Sequence, residues 1–321
     1  MDRREFLCSS TAAFSLGLLA GRSTLFGQGA SIRPSVSKTA PPPPSQMPAP
    51  ATAFKALRRN VGVFTGRGGT IGCLASPGAL VVVDTQFPDT AALCLGGLPG
   101  RNGRILDAVL NTHHHADHTG GNGVFQPVTR MIVAHRNVPK LQRSAAERTG
   151  DVARQVYADR LFTDAWRCEV GDEVVSARHF GPAHTGGDAV IFFERANIVH
   201  MGDLVFNRLY PFTDRPSGCS VRGWIKVLEA VIREYPADAI YLYGHGKQAH
   251  GITGPRGDLL VMRDYLGALL AHVEREIKAG KSRAEIIQME NLPGFPDFHA
   301  PRPNRLDINL GAAYDELAVQ T

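Results

Sequence analysis

The residues best suited to chemistry stand in a row, His113-His114-His115-Ala116-Asp117-His118, between Leu110-Asn111-Thr112 and Thr119-Gly120-Gly121. Their spacing, His-x-His-x-Asp-His, combines imidazole with carboxylate, the donor types that suit zinc and neighbouring divalent metals. Two histidines and an adjacent Asp-His pair do not complete two coordination spheres, so more donors are needed downstream. Three stand at the ends of predicted strands: His184 in Gly181-Pro182-Ala183-His184-Thr185-Gly186-Gly187-Asp188, Asp203 in Met201-Gly202-Asp203-Leu204, and His245 in Gly244-His245-Gly246. The flanking glycines let backbone pass close to a site without a Cβ.

The elements that must position these groups follow from apolar patterning. Short β-rich runs over 61–65, 70–74 and 79–84, separated by Gly or Pro, read as consecutive antiparallel strands. A short helix is expected over 89–98 and a buried strand over 105–110, directly before the histidine cluster. Loops after strands are where layered α/β folds display catalytic groups. Residues 131–134 repeat the strand pattern, a helix begins near Asn137, and 151–167 read as helix and loop. Strands follow at 174–180, 189–194 and 198–200. Over 221–235, Trp224, Ile225, Leu228, Val231 and Ile232 share one helical face, and 239–243 is a last strand. Residues 258–278 predict a long amphipathic helix stopped by Gly280, and Ser282 with Glu285 forms a capping box that opens a short helix through Gln288.

The chain of 321 residues begins with a paired Arg3-Arg4, an apolar run over 11–20 and small residues around Gly27-Gln28-Gly29-Ala30. This order resembles a twin-arginine signal peptide over 1–29, removed on export to the periplasm. The apolar run is shorter than the ~20 residues of a membrane-spanning helix, and no later run approaches that length. Residues 30–53, rich in Ser, Pro and Ala and including Pro41 to Pro44, read as a semi-rigid linker. The structured part divides into a main domain over 54–250 and C-terminal helices and tail over 251–321, packed on the same domain. A net charge of +5 with scattered Lys and Arg gives no basic stripe, so the expected partner is a small molecule rather than nucleic acid. Of five cysteines, Cys8 leaves with the signal; Cys73, Cys94, Cys168 and Cys219 show no close pairing and are expected to be buried free thiols.

From Asp84 through His245 these motifs stand in the order of the metallo-β-lactamase-fold hydrolase superfamily, which the chain resembles over about 54–246. The resemblance implies an α/β fold, a four-layer αβ/βα sandwich, here with a C-terminal helical extension, and a dinuclear metal site at the edge of two sheets. By the same resemblance His113, His115 and His184 hold the first metal and Asp117, His118 and His245 the second. Asp203 bridges both, and Asp84 is the buried aspartate that supports the ligand loop. Two zinc ions are expected, with iron or manganese as alternatives, activating water and polarising the scissile bond. Asp117 is the catalytic carboxylate, orienting the attacking hydroxide or taking its proton. His135 is a candidate for orienting a ligand from behind. His114 alternates with two ligands and should point away, His200 should be packed, and Asp188 should hold its own loop.

The position that matches Asp203 is a cysteine in metallo-β-lactamases of the commonest kind, and a lysine three residues later grips substrate; here those places hold Asp203 and Phe206. That departure resembles glyoxalase II, lactonases and arylsulfatase-like or phosphodiesterase relatives. Tyr210, Phe212 and Arg215, with Tyr157, Phe162 and Trp166, are the expected pocket walls, suited to a mid-sized substrate bearing an anionic group. The expected activity is an exported dinuclear zinc hydrolase of an ester, lactone, thioester or amide. β-Lactam hydrolysis, and in a different class an iron-dependent oxidoreductase of the same fold, are the alternatives.

Overall fold

The structure, a computed structural model, describes residues 8–10 and 52–319. The expected signal peptide, apart from 8–10, and nearly all of the expected linker lie outside the described residues. The first described segment, β1 (Cys8–Ser10), is an edge strand of a sheet otherwise built by the middle of the chain. The strands β2 (Ala53–Arg58), β3 (Val61–Thr65), β4 (Ile71–Ala75) and β5 (Leu80–Val83) form an antiparallel meander. Arg59 and Asn60 join the first two strands with φ of 47° and 63°, the positive pair that matches a tight hairpin to strand twist.

Helix α1 (Pro88–Gly97) opens on proline, whose missing N–H costs nothing in a first turn, and leads to β6 (Ala108–Leu110). Then come α2 (Ala116–Thr119), α3 (Asn122–Phe125), β7 (Ile132–His135), α4 (Val138–Thr149) and β8 (Arg160–Phe162). The first seven-stranded sheet runs β2-β3-β4-β5-β6-β7-β8, with β5 through β8 parallel. The second sheet uses β9 (Ala165–Val170), β10 (Glu173–Arg178), β11 (Val190–Phe193) and β12 (Ile198–His200). It is completed by β14 (Ile240–Leu242) and β16 (Thr253–Gly254), with β13 (Phe206–Asn207), α5 (Val221–Glu234) and β15 (His245–Gly246) intervening in the chain. Its order is β1-β9-β10-β11-β12-β14-β16, while β13 and β15 pair separately. Helices α6 (Gly257–Lys278), α7 (Arg283–Ile286) and α8 (Arg305–Ala318) follow.

Period-two alternation sorts the side chains into layers. Val61 and Val63 of β3, and Val81 and Val83 of β5, meet Val175, Ile191 and Ile198 in a core between the sheets. Phe64, Leu80 and Val82 point the other way, against Ala91, Cys94 and Leu98 around α1 and against Phe125 of α3. On the far side, Val199 and Tyr241 pack under Trp224, Leu228, Leu266 and Leu310 of α5, α6 and α8. Helices, sheet, sheet and helices therefore stack as an αβ/βα sandwich. Burial of each such large side chain contributes roughly 1.5–3 kcal/mol. Among the described residues no helix is long and apolar enough to cross a membrane.

Three expectations need correction. Residues 151–167 are not mainly helix and loop: after a single 3-10 turn they give β8 and the start of β9, and the alternating burial of Trp166, Cys168 and Val170 is a strand's. Trp166, only 3% exposed, sits between the sheets and is no pocket wall. Cys73, Cys94 and Cys219 are free and buried, but Cys168 is disulfide-bonded. Linear cysteine spacing carries no signal of that bond. The capping box at Ser282 and Glu285 is present, with both reciprocal hydrogen bonds made.

Candidate metal centre

In-register parallel pairing brings the donors together. Val83 of β5 stands beside Leu110 of β6, and His200 of β12 beside Leu242 of β14, so the residues that follow these strands emerge at one edge. Asp84 follows β5, the His113–His118 run follows β6, Asp203 follows β12 and His245 follows β14. His184 comes from the β10–β11 loop. The approach is close enough that a Cβ on Gly69 would strike the His118 ring, and one on Gly244 the Asp203 carboxylate.

Hydrogen bonds on the far side of each ring fix which nitrogen carries the proton. The Thr112 hydroxyl donates to Asp84 Oδ2 at 2.8 Å, so it accepts from His113 Nδ1 at 3.1 Å. His115 Nε2 donates to Asp214 Oδ2 at 2.9 Å, and His184 Nδ1 to the Phe212 carbonyl at 2.8 Å. His113 Nε2, His115 Nδ1 and His184 Nε2 are therefore all lone pairs. Yet His115 Nδ1 lies 3.0 Å from each of the other two. Three acceptors facing one another with no proton between them repel unless a cation lies among them. That is the chemistry of a metal site, and neutral imidazole is its proper donor. Burial pushes His113 far below the usual histidine range, and burial likewise takes His184 down to about 3.

A second donor group adjoins the first. His118 Nδ1 donates to Asp84 Oδ2 at 2.8 Å, which leaves Nε2 free to face Asp203 Oδ1 at 3.0 Å; both of these buried atoms lack a hydrogen-bond partner. His245 Nε2 lies 3.1 Å from Asp117 Oδ2 and 3.4 Å from Asp203 Oδ2. Asp203 Oδ2 also faces His113 at 3.8 Å and His184 at 3.5 Å, so this carboxylate touches both groups. Burial opposes charge on His118 and His245. The Asp203 and Asp117 carboxylates outweigh it, lifting His118 well above its ordinary value and His245 to about 9. Within His113, His115, His184 and Asp203, and within Asp117, His118 and His245, the donor atoms all lie within 4.8 Å of one another. Both groups suit a divalent cation.

Asp84 underlies both. It accepts from Thr112 N at 2.8 Å as well as from the Thr112 hydroxyl and His118. Its φ of +64° is left-handed, a strain of roughly 1–2 kcal/mol outside glycine that these bonds offset. His114 does turn away: its Nε2 bonds Ser217 Oγ at 3.1 Å. Together with His115 and Asp214 it makes a third close group, but the His115–Asp214 hydrogen bond already occupies that space. His200 is packed, bonded to the Thr70 carbonyl and Gly202 N, and Asp188 holds Thr185 N and Oγ1 at 2.7 and 2.6 Å.

The structure does not bring His135 to the cluster. It stacks on His179 with ring centroids 3.9 Å apart, its Nδ1 has no partner, and β7 directs it toward packing rather than toward a ligand. Phe212 is at the site, its ring 5.4 Å from that of His115. Tyr210 is buried and packs on Tyr265 and Phe298. Arg215 is spent on the Cys219 carbonyl and on Glu316. Reading the sequence missed Asp214 and Thr112. Thr112 was adjacent to the motif and legible as a loop hydroxyl; Asp214 carries no spacing signal.

The family described as the metallo-beta-lactamase superfamily matches residues 65–245. A hydroxyacylglutathione hydrolase of Rhodospirillum rubrum is 25% identical over 195 residues, 58% of this chain and 66% of that one. One from Methylococcus capsulatus is 35% identical over 130 residues, 40% of this chain and 44% of that one. The chain thus spans less than two thirds of the length of these relatives. Among solved structures, an inverting sec-alkylsulfatase from Pseudomonas sp. superposes with a TM-score of 0.63 at 16% identity, covering 82% of this chain and 50% of that one. A metallo-beta-lactamase from Pontibacter korlensis gives 0.54 at 15% identity, over 68% and 99%. These two likenesses show the fold.

Proposed function

The chain belongs to the metallo-beta-lactamase superfamily, and from that membership we propose that it is a metal-dependent hydrolase of a thioester or related ester. The observation that carries the reading is the convergence of three imidazole lone pairs at 3.0 Å beside a second set of donors. His113, His115 and His184 would hold one ion, Asp117, His118 and His245 the other, and Asp203 both. Zinc suits this mixture of imidazole and carboxylate. Bound there, the ions supply Lewis acidity and a nucleophile available at neutral pH.

The chain's own residues do the rest. Asp203, buried, fixes the spacing of the two donor groups. Asp117 is half open, with its carboxylate held ionised: burial opposes charge, but His118 and His245 keep its pKa well below the usual range. It is the carboxylate placed to accept the proton of the attacking water. Asp84 and Asp214 keep His118 and His115 in the donating tautomer. The thioester preference is supported by the hydroxyacylglutathione hydrolase relatives. Export rests on Arg3-Arg4 and the apolar run that follows, and exchanging both arginines for lysine should leave the chain in the cytoplasm.

The test is turnover by metal-loaded protein on a thioester, an acyl lactone, a β-lactam and a phosphodiester, with Asp117→Asn as the blank. The reading expects the thioester to be cleaved fastest and chelation to abolish turnover. Activity that survives complete metal removal would overturn it.

A further inference from the structure

We propose that Arg305, the first residue of α8, anchors substrate through a carboxylate, so that the site takes carboxylate-bearing thioesters or esters. This deepens the hydrolase reading and rests on it. The Arg305 guanidinium lies over the Phe212 ring, 4.9 Å from its centroid, and that ring lies 5.4 Å from His115. One aromatic ring therefore separates the cation from the donor cluster. Among the described residues Arg305 makes no ion pair, and its buried Nε has no hydrogen-bond partner. The other cation expected near this wall, Arg215, is already bound to Glu316 and the Cys219 carbonyl.

A donor buried without an acceptor is costly, and an incoming anion would complete the Arg305 Nε that stands in that position. Burial, aided by the neighbouring Arg302, holds its pKa below the ordinary arginine value, with the Asp203 and Asp117 carboxylates opposing the shift. The planar guanidinium fork matches a carboxylate through two parallel hydrogen bonds. A cleft of about 380 Å³, lined by Tyr210, Gln288, Met289, Asn304 and Leu306 as well as Arg305, leaves room beside the guanidinium for the body of a ligand. Glu290 and Asp307 also line the cleft and make no ion pair with Arg305.

The arginine is also held in place. Glu316, later on the same helix, accepts from Ser220 Oγ and from the N–H groups of Val221 and Arg222, capping α5. Thr213 bonds Asn309 one turn beyond Arg305, at 3.3 Å. The helix that presents the cation is thereby tied to the loop that carries Phe212 and Asp214.

The experiment is a binding titration of the full, metal-loaded chain with a non-hydrolysable thioether acid and with its primary amide, in the wild type, Arg305→Met and Arg305→Lys. The wild type should prefer the acid by ~10-fold or more, a charge-assisted bidentate pair being lost in the amide. Arg305→Met should level the two, and Arg305→Lys should keep part of the preference. Metal content and Tm of each variant report folding, and Arg305→Lys serves if Arg305→Met does not fold. Equal binding of acid and amide by the wild type, or a preference unchanged in the variants, overturns the proposal. An intact acid preference with no turnover of any ester would refute hydrolysis and still support the anchor.

Discussion

The two halves of the donor cluster are held by different means. In the three-histidine half every far nitrogen is pinned, to Thr112, Asp214 and the Phe212 carbonyl. In the other half only His118 is pinned, by Asp84. His245 stacks on Phe206 with centroids 5.3 Å apart, and the His245 and Asp117 side chains are 25% and 28% exposed. Partners that orient a ligand are worth about 10–100-fold in metal affinity. The first half is therefore built to keep its ion. The second opens toward solvent, and on the proposed reading it is the half that would exchange protons and meet substrate.

The largest effect expected from breaking this division is on rate. Asp117→Asn should cost ~10³-fold in kcat, the scale of a general base, while the three-histidine half keeps its ion. Turnover within tenfold of wild type would contradict the division of roles. Next comes Asp84→Asn, which touches both halves through Thr112 and His118. Competition against a chromophoric chelator should show both ions weakened by ~10–100-fold; weakening of one alone would mean that Asp84 serves a single half. A smaller loss, ~10-fold, should follow from Asp214→Asn and should be confined to the three-histidine half. Equal weakening of both ions in that variant would erase the contrast.

The smallest effect lies outside both halves. Burial lowers the pKa of His135 to about 4, with His179 and Arg136 adding to the shift. A histidine depressed in the folded state contributes stability that is whole above the unfolded value near 6.5 and is lost as pH falls toward 4. Wild type should therefore lose roughly 1–3 kcal/mol between pH 7 and pH 4 that His135→Phe does not lose. Denaturant titrations of apo and loaded protein at the two pH values measure it, and a loss that differs with metal loading would tie His135 to the centre after all.

Much of the site was legible in the sequence because each donor sits in a short motif at a strand end. His113 through His118, His184, Asp203 and His245 needed only local patterning and the rule that parallel strands deliver their ends to one edge. The groups that tune the donors were not legible. Asp214 reaches His115 through a loop after Asp203 that has no repeat or spacing; the proposed anchor Arg305, which touches no donor, arrives on a helix whose start is set by Asn304 in a left-handed turn. Trp166 was misplaced because a six-residue alternation was read as a helix's spaced apolar positions, although period two puts it between the sheets. His135 was misplaced for a different reason, since a histidine that closes a strand looks the same whether it faces a metal or another ring.

Stepwise chelation of the fully loaded protein, with metal counted per chain, tests the two-halved centre most directly. Two ions per chain should leave in separate steps, the Asp117–His118–His245 ion first, with Asp214→Asn moving only the later step. A single ion per chain, or two ions lost together in one step, would contradict it.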